Sequence, residues 1–319
     1  MCTAISYYGK HHYFGRNLDL EYAYAEQVVI TPRNFPFHFR SGNSMPAHYA
    51  MIGIATVANG TPLYYEATNE CGVSMAALNF PHSAVYLPKI AGRDNLAPYE
   101  LIPWILGQCG SVDQAADKLR GVNVWALPFS RELPLSPLHW ILADKKHCIV
   151  AEPCADGLKL YENPVGVLTN EPNFPYHMQR LHDFMGLHPG QAENHFQKIT
   201  LKPYSNGMGA LGLPGDFSSV SRFVKAAFVK DHSQCHTDEV AHFFRMLNSV
   251  AMPEGSVRID DACEITRYSC CCDTEKGIYY YTTYENSRLR AVRLRHINLD
   301  DDQLHAYELL RQPDIFWQN

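Results

Sequence analysis

The sequence predicts an α+β layered fold in one domain. Strand patterns crowd both ends of the chain, helical patterns fill the middle, and no internal repeat or linker divides them. A chain of 319 residues with 46% hydrophobic content can bury the core that such layers need.

Residues 2–8 are β-branched and aromatic. Gly9-Lys10-His11-His12 is a turn, and residues 12–20 return as a partner strand, so the chain opens with a hairpin. Further strands are expected at 27–31, 50–57, 63–67 and 72–79. Helical spacing runs over 98–106. Ser111-Val112-Asp113-Gln114 then reads as a capping box opening a helix to about Arg120. Strands follow at 148–153, 157–161 and 166–169, and helices at 175–185, 219–230 and 238–250. Strands at 277–284 and 287–294 close the pattern around a Glu285-Asn286 turn. Residues 187–214 lack periodicity and are rich in Gly and Pro, which marks a functional loop or an assembly element.

Composition excludes several function classes. The net charge is −6 and no Lys or Arg run exceeds two residues, which gives nucleic acid or an anionic membrane no electrostatic hold. No apolar stretch approaches the roughly 18 residues of a membrane span, and no signal peptide is read at the N-terminus. The ten cysteines are dispersed, so reduced thiols and a cytoplasmic location are expected. Adjacent cysteines on a strand point to opposite faces, so Cys270-Cys271-Cys272 is not expected to bind a metal. Gly207 to Gly212 matches G-x-G-x-x-G but neither follows a strand nor opens a helix, so no nucleotide cofactor is expected. H-E-x-x-H and G-x-S-x-G are both absent.

Position 2 carries the most chemistry. Removal of Met1 would leave Cys2 with a thiol and a free α-amine on one carbon. The reference pKa of such an amine is about 7.7–8.0, where a general base works well. The pair is an acyl-transfer centre that needs no histidine.

Cys2-Thr3-Ala4, Phe14-Gly15-Arg16-Asn17-Leu18-Asp19, Leu78-Asn79-Phe80-Pro81, Leu168-Thr169-Asn170-Glu171-Pro172, Gly212-Leu213-Pro214-Gly215-Asp216, Ser221-Arg222-Phe223 and Tyr280-Tyr281-Thr282-Thr283-Tyr284-Glu285-Asn286 occur in this order. In this set the chain resembles the choloylglycine hydrolase family, which holds bile salt hydrolases and penicillin V acylases. The resemblance covers essentially the whole chain. It implies the four-layer αββα N-terminal-nucleophile hydrolase fold, with two antiparallel sheets between helical layers, over residues 2–319. It also implies a homotetramer, with residues 187–214 as the protruding assembly segment.

The resemblance makes Cys2 the nucleophile, Arg16 the cation beside its thiol, and Asp19 the carboxylate that holds the α-amine. Arg16 and Asp19 are three apart and would face opposite ways on a regular strand, so their convergence calls for a bulge or the strand's end. Asn79 and Asn170 match oxyanion positions, where one fixed donor is worth about 3–4 kcal/mol. Arg222 matches a residue that orders Cys2 and its neighbours.

Leu18, Phe129 and Leu133 match positions lining a steroid pocket, where buried apolar area supplies the binding energy at about 25 cal/mol per Å². Penicillin V acylases of the family typically carry Tyr where this chain has Asn79. The expected substrates are therefore glycine- or taurine-conjugated bile acids, with no cofactor. The competing readings are an acylase for penicillin V or acyl homoserine lactones, and a non-catalytic bile-acid-binding protein.

Overall fold

The opening hairpin forms as the alternation predicts, and everything else is laid on it. In the computed structural model, which describes residues 1–319, strand β1 (Cys2–Tyr8) pairs antiparallel with β2 (His12–Leu20), with Cys2 opposite Leu18. The strands that follow are β3 (Gln27–Thr31), β4 (Met51–Ala58), β5 (Thr61–Asn69), β6 (Ser74–Asn79), β7 (Leu138–Ala143), β8 (Cys148–Cys154), β9 (Gly157–Glu162) and β10 (Val167–Leu168). The C-terminal part adds β11 (Ile265–Asp273), β12 (Ile278–Thr283), β13 (Arg290–Arg293) and β14 (His305–Glu308). One sheet has the order β10-β1-β2-β11-β12-β13, the other β9-β8-β7-β6-β5-β4-β3-β14. Every pairing within both sheets is antiparallel.

Helices α1 (Leu101–Leu106) and α2 (Val112–Leu119) cover the outer face of the second sheet. Helices α3 (Phe174–Leu181), α4 (Ser219–Asp231) and α5 (Glu239–Asn248) cover the first. The two sheets lie face to face between these layers, giving the αββα arrangement. Period 2 sorts the core accordingly. Val28, Ile30, Ile52 and Ile54 pack between the sheets, whereas Val29 and Met51 pack under α1 and α2.

Local signals explain the element boundaries. Ser111 Oγ accepts from Gln114 N at 3.3 Å and so caps α2. Gln114 Oε1 reaches Gly110 N, one residue short of the cap itself. Ser218, Asn173 and Asp238 cap α4, α3 and α5 in the same way.

Three strands of the two large sheets form where the sequence pattern gives none: β7, β11 and β14. The first two are buried on both faces, which removes the alternation that would reveal them. The closing hairpin also differs. Tyr281 pairs with Arg290, β12 runs on to Thr283, and the connection takes residues 284–289, so β13 starts at Arg290 rather than at 287. Residues 187–214 hold one short 3₁₀ turn, Met208–Ala210, and otherwise no regular element.

Candidate active site

The hairpin register decides which side chains face which layer. Cys2 opposite Leu18 and Ala4 opposite Arg16 place Cys2, Arg16 and Leu18 on the face turned to the second sheet. Thr3 and Asp19 fall on the face turned to α4. Gly15 permits the close pairing behind Arg16, because a Cβ there would stand 1.9 Å from Cys270 O.

Arg16 is wholly buried and spans the space between the sheets. Its Nη1 donates to Ala77 O at 2.6 Å and Tyr65 O at 3.2 Å, and its Nε lies 3.8 Å from Glu66 Oε2. Glu66 is in turn held by the Tyr268 and Tyr279 hydroxyls, so the buried charge pair is hydrogen-bonded on the carboxylate side. Arg16 Nη2 has no partner in the protein. It is a spare donor in the cavity that Cys2 also lines.

On the other face the Cys2 main chain is fixed at both ends. Cys2 N donates to Asn170 Oδ1 at 2.8 Å, and Cys2 O accepts from Arg222 Nη1 at 2.5 Å. Arg222 also donates to Thr3 Oγ1, to Phe217 O and, at 2.8 Å, to the same Asn170 Oδ1. Asn170 Nδ2 donates to Asn79 O at 2.8 Å. Asp19 Oδ1 accepts from Thr266 Oγ1 at 2.6 Å, while Oδ2 lies 3.9 Å from Arg222 and has no hydrogen bond. Burial pushes the Asp19 carboxyl above the usual range, opposed by Arg222 and the N-terminal amine. Burial likewise lowers Arg222 and the Met1 amine.

Arg16 and Asp19 do not meet through a bulge in β2. The irregularity lies in the partner strand, where Thr266 pairs with Asp19 and Tyr268 with Leu18, leaving Arg267 as the extra residue. The two side chains approach Cys2 from opposite faces, Arg16 on the thiol side and Asp19 on the main-chain side.

Cys2, Arg16, Leu18, Asn79, Phe129 and Leu133 line one cavity of about 350 Å³. Tyr24, Tyr65, Tyr99 and Leu135 complete its mostly apolar wall. Asp19, Asn170 and Arg222 stand behind it as the support for Cys2. A larger cavity of about 420 Å³, near Arg245 and Tyr284, is lined by no cysteine, so size alone does not mark the site. Thr266, and the contact of Thr3 with Arg222, are parts of the site that the sequence pattern does not single out, since each depends on a partner far along the chain. No group of three or more His, Cys, Asp or Glu is placed to hold a metal ion. Cys270, Cys271 and Cys272 are buried, free thiols of β11.

Residues 2–307 match the model of the linear amide C–N hydrolases, choloylglycine hydrolase family. The chain is 47% identical to a bile salt hydrolase/transferase of Lactiplantibacillus plantarum, over 100% of both chains. It is 35% identical to a bile salt hydrolase/transferase of Clostridium perfringens, over 97% of both. Among solved structures, a variant of the conjugated bile acid hydrolase from Clostridium perfringens superposes with a TM-score of 0.94, at 34% identity over 100% of both chains.

Proposed function

We propose bile salt hydrolysis as the function of this chain, which belongs to the choloylglycine hydrolase family of linear amide C–N hydrolases. One observation carries the reading. A cysteine one residue from the N-terminus sits at an apolar cavity, facing a buried guanidinium, while its main chain is fixed by Asn170 and Arg222. A rigid steroid face suits such a wall, and the conjugate's amide would then lie at the sulfur.

The mechanism follows from the two faces of the hairpin. Removal of Met1 frees the Cys2 amine, which takes the thiol proton as sulfur attacks the amide carbonyl. Arg16 supplies positive charge beside the developing anion. The Asn79 side chain and the second Nδ2 hydrogen of Asn170 are the candidate donors to the tetrahedral oxyanion. The amine then gives its proton to the departing glycine or taurine nitrogen, leaving a thioester between Cys2 and the cholane acyl group. Water attacks the thioester as the amine takes its proton; the carbon–sulfur bond then breaks, the free bile acid leaves, and the amine returns that proton to the sulfur. Asp19, pinned by Thr266, holds the amine in place.

The assay that tests this measures amino acid or side-chain release from glycocholate, taurocholate and penicillin V in parallel, with mass spectrometry confirming loss of Met1. Conjugated bile salts are expected to be cleaved at least tenfold better in kcat/KM, a gap of about 1.4 kcal/mol. A preference for penicillin V would overturn the substrate and leave the nucleophile standing. Binding of bile salts without release would overturn the enzyme reading.

The same reading includes a single-domain protomer that works as a homotetramer in the cytoplasm. Phe196, Ile199, Leu201 and Tyr204 are exposed in the 187–214 segment, which supports its use as an assembly surface. Sedimentation of the native chain against one lacking that segment tests it.

A further inference from the structure

The residue before β11 is Glu264, and it is fully buried. Neither carboxyl oxygen accepts a hydrogen bond from any side chain or backbone N–H. The one group that faces it is the α-ammonium of Met1, which contacts Oε1. That ammonium also donates to Asp19 O at 2.7 Å, and Met1 O accepts from Asp19 N at 3.0 Å. The first residue is thus seated on a buried carboxylate and on the backbone of Asp19.

Met1 N and Cys2 N are separated by three covalent bonds, so they lie within about 4 Å of each other. Excision of Met1 removes the only partner of Glu264 and creates a new α-amine one residue along. A buried carboxylate with no partner is strongly disfavoured, and a buried amine needs acceptors for its hydrogens. Asn170 Oδ1 already receives one hydrogen from Cys2 N at 2.8 Å. Asp19 Oδ2 is a second buried acceptor without a partner.

We propose that Glu264 is a positioning residue: once Met1 is gone, it accepts from the Cys2 α-amine and orients that amine as the base for the thiol. The proposal rests on the reading of Cys2 as the nucleophile and its amine as the base. It adds a carboxylate just before β11 to the set on the hairpin and on α4.

The charged groups around the amine can be named. Around the Met1 amine, burial opposes the charged form; Cys2, Asp19 of β2 and Glu21 beyond its end favour the protonated amine, and Arg222 of α4 opposes it. The Cys2 amine would form within about 4 Å of that position, among the same groups. Arg16 acts from the thiol side. Arg267, close to Glu264 in sequence, is turned away to Leu20 O and Glu21 O. Glu264 is therefore not neutralised by Arg267, and its negative charge holds a proton on the amine. Loss of that charge makes the amine easier to deprotonate and less well held.

The test is the pH profile of kcat/KM for glycocholate with the processed enzyme and the Glu264→Gln variant, alongside thermal melts. The acid limb of Glu264→Gln is expected to move down by at least half a pH unit. Its plateau kcat should fall three- to tenfold, with KM within twofold, because the steroid cavity lies on the other face of the hairpin. Glu264→Asp keeps the charge and should hold the limb at the wild-type pH, which also serves if the Gln variant does not fold. A limb that stays put in Glu264→Gln, or moves as far in Glu264→Asp, overturns the role of Glu264. A processed wild-type enzyme that releases no glycine overturns the functional reading instead.

Discussion

Arg222 and Asn170 share one contact that organises the site. Arg222 Nη2 donates at 2.8 Å to the Asn170 Oδ1 that also receives Cys2 N. Arg222 from α4 and Cys2 from the start of β1 thereby fix the orientation of an amide whose other end donates to Asn79 O. With Oδ1 occupied by two donors, the Asn170 amide cannot flip without breaking both bonds. Its remaining Nδ2 hydrogen is aimed by that constraint.

Asn170→Ala should therefore do more than remove one donor. Arg222 would lose an acceptor in a fully buried position, at about 1–3 kcal/mol of stability. Hydrolysis of glycocholate is expected to fall at least a hundredfold, since the amine and the oxyanion lose a contact together. Urea denaturation and steady-state kinetics on the same preparation check it; a variant with wild-type stability would show that Arg222 finds its acceptor elsewhere.

Cys2→Ser should fold with an unchanged melting temperature, because the side chain is small and its main-chain bonds to Asn170 and Arg222 remain. Hydrolysis should be nearly abolished, since an alkoxide is much harder to generate than a thiolate. Iodoacetamide should inactivate the native enzyme, and bile salt should protect it, with Cys2 identified as the labelled residue. Substantial turnover by the serine variant would exclude the thiol mechanism.

Asn79 lines the cavity and lies opposite Leu138 across the β6–β7 pair. Asn79→Tyr is expected to lower kcat/KM for glycocholate at least tenfold by filling the cavity beside Cys2 and removing an amide donor. Penicillin V turnover should fall less or rise. Parallel loss on both substrates would assign Asn79 to catalysis alone rather than to substrate choice.

Acid should weaken the fold through two buried histidines. Burial lowers His12 and His177, each to about 4. Both folded values lie below the unfolded value of about 6.5, so the unfolded chain binds more protons between these limits. Stability is then full above about pH 6.5 and declines as pH falls toward 4, by up to about 3 kcal/mol per histidine. His12→Gln keeps hydrogen-bonding groups for Ser6 and Thr274 and should flatten the slope of unfolding free energy against pH in this window. An unchanged slope would mean that His12 does not titrate with folding.

Much of the site was legible because its chemistry is local. A cysteine at position 2 joins a thiol to an amine on one carbon whatever the fold does around it. The hairpin that carries Arg16, Leu18 and Asp19 follows from alternation and a Gly-Lys turn within the first twenty residues. The helix cap at Ser111 is similarly set by neighbours in sequence. Strands β7 and β11 were not legible, because burial on both faces erases the period that exposes a strand.

The sequence by itself determined the opening hairpin, the candidate nucleophile at position 2, and the rule that Arg16 and Asp19, three apart, share a face only where the strand is irregular. Tertiary structure decided what the two faces of that strand meet. β2 pairs with β11 about 250 residues away, and the Thr266 irregularity, the Tyr268–Glu66 bond behind Arg16 and the buried Glu264 all depend on that pairing. Pleating is a property of each strand and is written in local alternation. The choice of neighbour and register comes from burying both sheets against each other, which no short stretch of sequence contains.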